Sequence, residues 1–163
     1  MNKILITLSF VVLASCAPNE VPYKELVERQ GITYEVNSQT PFAGTSISHH
    51  ENGQLKKKVN FKDGIRNGLV EMYHENGQLQ GKGNLKDGKP DGLLTQYREN
   101  GQLKAKANVK DGIPDGLAET YYENGQLKDK GNFKDGKLDG LWEHYHDNGQ
   151  LKEKANYKDG EPL

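Results

Sequence analysis

The sequence predicts an all-β protein: an antiparallel meander of β-hairpins, open like a solenoid, built on a 24-residue repeat. Three observations carry this. Asn-Gly-Gln-Leu occurs at Asn52, Asn76, Asn100, Asn124 and Asn148, each copy 24 residues after the last. A fixed period in this range marks units too small to bury a core alone, which stack on their neighbours. Each period also holds two turn signals, one at Asn-Gly and one at Lys-Asp-Gly. The runs between them have strand length and are too short for helices. Finally, some columns do not vary: Gly68, Gly92, Gly116 and Gly140, each followed by Leu, and Tyr73, Tyr97, Tyr121 and Tyr145.

The register within a hairpin follows from parity. A two-residue Asn-Gly loop would put Tyr73 and Leu79 on opposite faces. A type I turn with Gly77 in the left-handed region and a G1 bulge puts them on one face. A slip of one residue flips every side chain, so the register that unites the invariant apolar columns is preferred. It groups Leu69, Tyr73, Leu79, Gly83 and Leu85 on a packed face and leaves Val70, Met72, Lys82 and Asn84 outside. It also leaves the pair Glu71 and Gly81 on the packed face. Small residues (Val59, Gly83, Ala107, Gly131, Ala155) and large ones (Phe61, Leu85, Val109, Phe133, Tyr157) form two further columns. Glycine weakens a strand unless a neighbour packs close, so a large side chain from the adjacent strand is expected to fill each gap.

The copies, for example Tyr121-Tyr-Glu-Asn-Gly125 with Phe133-Lys-Asp-Gly136-Lys-Leu-Asp-Gly140, resemble MORN repeats, whose units are β-hairpins with recurring Tyr and Gly columns. The spacing and the Asn-Gly-Gln-Leu core look more like the bacterial MORN-variant family often labelled YwqK-type antitoxin proteins. That resemblance implies an open hairpin-repeat sheet and, by family label, neutralisation of a cognate effector.

Taken in order, residues 1–16 read as a processing segment, with Lys3 before an apolar run from Ile4 to Leu13 that is too short to span a bilayer as a mature helix. Leu13-Ala14-Ser15-Cys16 resembles a bacterial lipobox, which implies acylation of Cys16. Cys16 is the only cysteine, so an internal disulfide is excluded. Ala17 in place of Asp after that cysteine looks like an outer-membrane address facing the periplasm. Residues 17–23 read as a polar linker, 24–40 as an irregular N-terminal hairpin or cap with a turn at Gln30-Gly31, and 41–163 as the repeats. The first unit is degenerate: His49 replaces Tyr and Thr45 replaces Leu. Lys158, Glu161 and Pro162 end the sheet and discourage edge pairing.

No nucleophile constellation is visible, and no catalytic residue or cofactor is expected. His144 and His146 lie two apart without an evident third metal ligand. The Asp-Gly-x-x-Asp-Gly loops lack the oxygen-ligand pattern of a calcium loop, and Asp and Gly are what tight turns use. A formal net charge of −1 gives no electrostatic case for nucleic acid. The Lys column from Lys58 to Lys154 reads as a solvated face. Candidate contact residues are the Tyr column (Tyr73, Tyr97, Tyr121, Tyr145) and Trp142, the only tryptophan. Trp142 is expected on the outer face opposite Lys154, as a cation–π pair or a contact residue. The function expected is non-catalytic: a lipid-anchored protein that recognises or scaffolds a protein partner at the cell envelope. Antitoxin-like neutralisation of an effector and envelope glycan or lipid binding are the alternatives.

Overall fold

The computed structural model describes residues 20–163, and within the repeats each run between turn signals is a strand. The strands are β1 (Glu20–Pro22), β2 (Leu26–Arg29), β3 (Ile32–Glu35), β4 (Gly44–His49), β5 (Leu55–Lys62), β6 (Ile65–Tyr73), β7 (Leu79–Lys86), β8 (Lys89–Pro90), β9 (Gly92–Tyr97), β10 (Leu103–Lys110), β11 (Ile113–Tyr121), β12 (Leu127–Lys134), β13 (Lys137–Tyr145), β14 (Leu151–Lys158) and β15 (Glu161–Pro162). Thirteen of them form one sheet in the order β1-β4-β5-β6-β7-β9-β10-β11-β12-β13-β14-β15, with β8 also on β7; β2 and β3 pair separately. From β4 onward the order is sequential and every pairing antiparallel, so the sheet is an open meander. Glu20–Pro22, assigned to the linker by sequence, instead form β1, which lies parallel to β4. Tyr23–Glu25 then make one 3-10 turn. Residues 1–19, including Cys16, lie outside the described residues.

Both turns of the repeat have a fixed chemistry. At Lys62-Asp63-Gly64-Ile65 the end residues pair, and Asp63 (φ 52°) and Gly64 (φ 77°) are both left-handed. This is a two-residue type I′ turn, whose twist matches that of the strands. Asp is one of the few residues with a Cβ that tolerates this region. At the Asn-Gly tip, the Gly77 amide donates to the His74 carbonyl (2.9 Å) and the His74 amide to the Gln78 carbonyl (2.8 Å). Gly77, Gly101, Gly125 and Gly149 have φ of 82°, 82°, 84° and 83°. This is the type I turn with a left-handed glycine that parity predicts.

Beyond the tip the register differs from expectation. Tyr73 pairs with Leu79, but Met72 pairs with Gly81, so Gln80 is an extra residue. This further bulge recurs at Lys56, Lys104, Lys128 and Lys152. It moves the rest of the second strand to the other side. Gly81, Gly83 and Leu85 therefore share a face with Val70 and Met72, while Leu69, Glu71, Tyr73 and Leu79 share theirs with Lys82 and Asn84. The misplaced pair Glu71 and Gly81 is resolved by the same step, because Glu71 now faces Lys82. A further shift between Val59 and Phe61 sets residues 67–69 against Asn60. Gly68 takes φ 94° there, as Gly116 (108°) and Gly140 (109°) do at the matching shifts.

The packed face is the one carrying the small and large columns. Val21, Phe42, Val59 and Phe61 are buried in one cluster, joined by Leu26 and Val70, where the N-terminal segment covers the sheet. Further along, side chains of the sheet cover each other. A Cβ on Gly83 would collide with the Leu94 side chain, and one on Gly131 would meet Trp142 Cδ1 and Leu138 Cδ2 at 3.1 Å each. The expected gap-filling is therefore present, with Leu94 and Trp142 as the fillers.

Two predictions follow from this packing. Gly131→Val should cost about 1–3 kcal/mol through overpacking. The flat Trp142 ring cannot yield as a methyl group can, so combining the change with Trp142→Ala should cost less than the sum of the single changes, as read in a denaturant double-mutant cycle. Excising the whole unit Gly92 to Asp115 joins Asp91 to Gly116 and keeps every contact type, so the shortened chain should melt cooperatively at lower temperature. Excising only Gly92 to Leu103 reverses the strand direction that follows and should give aggregation.

Candidate binding surface

The register divides the candidate contact residues between two faces. On the first, Tyr73, Tyr97, Tyr121 and Tyr145 pair with Leu79, Leu103, Leu127 and Leu151. Each tyrosine is half-buried. Beside them runs a row of alternating charge: Lys58, Glu71, Lys82, Thr95, Lys106, Glu119, Lys130, Glu143 and Lys154 face one another strand by strand. The next row alternates Leu and Asn. Its leucines are among the most exposed apolar residues, with Leu69 at 39%, Leu93 at 50% and Leu141 at 42%.

The Lys column expected to be a plain solvated face is thus interleaved with a Glu column, and five lysines alternate with three glutamates and one threonine. Lys106 Nζ lies 2.6 Å from Glu119 Oε2, and the Tyr121 hydroxyl donates to the same oxygen at 2.6 Å. Burial pushes the Glu119 carboxyl up, but hydrogen bonds from Lys106 and Tyr121 outweigh it and hold the group below its usual range. Burial, then Glu119, pushes the Tyr121 hydroxyl up, and burial with Glu71 does the same for Tyr73. These tyrosines stay neutral and remain donors at physiological pH. The Glu column at 71, 119 and 143 was visible in the sequence as a recurrence. Its role was hidden because the expected register put it on the packed face.

Trp142 is on the other face. It pairs with Ala155 and Gly131, while Lys154 pairs with Glu143, so the expected Trp142–Lys154 contact is not made. The extra residue at Lys152 is the cause. Trp142 instead stacks on His144, with ring centroids 5.9 Å apart and planes within 6°. His144 Nδ1 lies 2.7 Å from Asp129 Oδ1, and Thr120 donates to Asp129 Oδ2 at 2.8 Å. A serine-hydrolase relay needs the imidazole between hydroxyl and carboxylate. Here the carboxylate is in the middle, so the hydroxyl has no base. Among the described residues, no group of three or more His, Cys, Asp or Glu side chains could hold a metal ion, and no helix is long and apolar enough to cross a membrane.

Both margins of the sheet are stitched from repeat to repeat. At the tips, Asn52, Asn76 and Asn124 donate through Nδ2 to the carbonyls of Glu75 (2.7 Å), Glu99 (2.7 Å) and Asp147 (2.5 Å). The same asparagines accept from Gln54, Gln78 and Gln126 amides through Oδ1. The carbonyls of Tyr73, Tyr97, Tyr121 and Tyr145 bond with His50, His74, Arg98 and Tyr122 side chains. At the opposite margin, Gly88, Gly112, Gly136 and Gly160 amides donate to the carbonyls of Arg66, Pro90, Pro114 and Leu138. These bonds hold the tyrosines at a regular spacing of two strands, about 9.5 Å.

Compared with known proteins, the chain matches the model of the MORN repeat variant at residues 43–63, 66–87, 90–111, 114–135 and 138–159. No curated protein matches it. Among solved structures it is similar to a mutant of S. aureus TarM in complex with Fondaparinux, alpha-GlcNAc-glycerol and UDP, at 10% identity and a TM-score of 0.37, over 71% of this chain and 21% of that one. It is also similar to a GtfA/B complex bound to UDP and GlcNAc, at 11% identity and a TM-score of 0.27, over 81% of this chain and 23% of the other. The chain spans less than a quarter of the length of each, and neither likeness informs its function.

The Thr120–Asp129–His144 row generates a pH prediction. Burial pushes the Asp129 carboxyl up, but Thr120 and His144 more than reverse this, so its folded pKa is below the ordinary 3.8. A depressed folded pKa adds stability above the unfolded value, lost as pH falls through the folded one. Asp129→Asn should therefore flatten the acid limb of the stability curve below about pH 4. Urea melts at pH 3 and pH 6 check this: the wild-type loss between them should exceed that of the variant.

Proposed function

The chain belongs to the MORN repeat variant family, and from this premise we propose that it is a non-catalytic recognition protein whose tyrosine-bearing face docks a protein partner. Repeats of this kind usually mediate protein or membrane interactions. The observation that carries the reading is the composition of that face: half-buried tyrosines, exposed leucines and lysines interleaved with glutamates. Rigid aromatic rings supply contact area at low entropic cost, and the exposed leucines extend it. The face is flat and periodic, which suits another folded surface more than a small substrate.

The reading extends to cellular address. Leu13-Ala14-Ser15-Cys16 after an apolar run supports acylation of Cys16, and acyl chains would tether the protein to the envelope. With Ala17 next, the address proposed is the outer membrane, facing the periplasm.

Two measurements test these readings. Crosslinking pull-down from the native envelope should recover a partner with wild type and with a packed-face variant, Gln96→Ser, but not with Leu93→Ser. Leu93 is 50% exposed, so its loss should change stability by no more than about 0.5 kcal/mol. Equal recovery with both variants would remove the tyrosine face from the interaction. For the anchor, Cys16→Ser should abolish labelling by a palmitate analogue and move the protein to the aqueous phase on detergent partition. A wild type that is unlabelled and aqueous would show that the anchor does not exist.

A further inference from the structure

The repeat pattern is broken at two positions that meet in one pocket. Lys57 begins a column continued by Gly81, Ala105, Asp129 and Glu153. Arg66, opposite Phe61, begins a column continued by Pro90, Pro114, Leu138 and Pro162, which face Leu85, Val109, Phe133 and Tyr157. Only the first unit places a cation at either position, and it does so at both. Lys57 and Arg66 line a half-enclosed pocket of about 260 Å³ on the packed face. Val59 and Phe61, both buried, form its floor. Ser46, Ser48 and Tyr23 line it as well.

No carboxylate lines this pocket or the adjoining groove that holds Lys24, and Glu28 lines only the small neighbouring cavity behind Tyr23, Phe61 and Arg66. Three lysines elsewhere have carboxylate partners: Lys58 with Glu20, Lys106 with Glu119 and Lys158 with Asp139. Among the described residues neither Lys57 nor Arg66 has such a partner. Burial, then the nearby Arg66 charge, holds the Lys57 amine below its usual range. Two like charges over an apolar floor repel each other, and an anion between them relieves that cost. A guanidinium and an ammonium can share one carboxylate, with serine hydroxyls on its remaining lone pairs.

We propose that this pocket binds a small organic anion, its carboxylate held between Lys57 and Arg66 and its compact apolar body lying on Val59 and Phe61. The site lies on the face opposite the tyrosine column and does not depend on the partner reading. Sodium benzoate is the probe, titrated into the full chain by calorimetry and by NMR shifts of the Ser46–Phe61 amides. Saturable one-to-one binding at about 1 mM or tighter is expected, the strength that a ligand of this size reaches. Benzamide, of the same shape without charge, should bind at least about tenfold more weakly. Lys57→Met and Arg66→Met should each weaken benzoate by about tenfold or more, while Lys152→Met, an exposed cation at the far end, should not. Thermal melts confirm that each variant is folded. No saturation by about 10 mM benzoate, equal binding of benzamide, or an equal loss in Lys152→Met would overturn the proposal. Inorganic phosphate binding as tightly as benzoate would overturn the apolar half of the assignment.

Discussion

The asparagine side chain at the hairpin tip is the interaction on which the rest of the sheet depends. Its Oδ1 accepts the amide two residues on, which closes the turn. At Asn52, Asn76 and Asn124 its Nδ2 reaches the carbonyl of the next tip, which joins one unit to its neighbour, while Asn100 turns its Nδ2 to Gln102 Oε1 of its own tip. No other side chain of this length offers an acceptor and a donor so placed. The following glycine is needed for its left-handed φ and, at Gly77, Gly101 and Gly149, also for room, because the previous unit's glutamine lies against it. A Cβ on Gly101 would meet Gln78 Oε1 at 2.9 Å. A 24-residue period is kept because the tip is at once a turn and a joint.

A second constraint decides what each face presents. The extra residue after each tip, Lys56, Gln80, Lys104, Lys128 or Lys152, flips the strand that follows. The meander, the strand limits and the tip geometry were legible in the sequence, because Asn-Gly and Asp-Gly report local backbone conformation. The faces beyond the tip were not. A bulge at Gln80 has no local signature: the residue is polar, exposed and free to sit in either register. The grouping of Leu69, Tyr73 and Leu79 held, because these residues lie before the bulge, but their face is the open one and not the packed one that parity assigned to them. The placement of Trp142 opposite Lys154 failed, because Lys152 intervenes. The puzzle of a charged Glu71 on a packed face was the trace of the bulge in the sequence. Requiring Glu71 to face Lys82 would have located it.

This sheet has little interior. Most of its buried apolar residues gather under the N-terminal segment, where Val21, Phe42, Val59 and Phe61 meet. Toward the C-terminus the packed face covers itself, with Leu94 over Gly83 and Trp142 over Gly131. Such a layer removes less apolar area from water per residue than a two-layer core does. The margins supply what the core lacks. Each repeat adds hydrogen bonds at its tip and at its Asp-Gly turn, each contributing about 1 kcal/mol. The first Asp-Gly turn is held in the same way: Gly64 donates to the Phe42 carbonyl, and Thr33 donates to the Gly64 carbonyl. The N-terminal hairpin therefore continues the margin ladder as well as covering the apolar cluster.

A partner that reads only the invariant columns faces a problem of register. Tyrosines and leucines recur in every full unit and the glutamate of the charge ladder in all but one, so such a partner could slip by one unit and lose little more than an end contact. Binding at a single position requires landmarks on the same face. There are few. Thr45, Ile47 and His49 mark the first unit, standing where later units carry Leu, Glu and Tyr. Thr95 marks the middle, replacing glutamate in the charge ladder between Lys82 and Lys106. Thr95 is buried, at 9% exposure, so what a partner meets there is a step in charge more than a new side chain. Lys106 is taken by Glu119, which leaves Lys82 shared between Glu71 and Thr95 as the distinctive cation of the row. For the partner proposed, specificity on this face would rest on an absence in one unit, read against a background that is otherwise nearly constant.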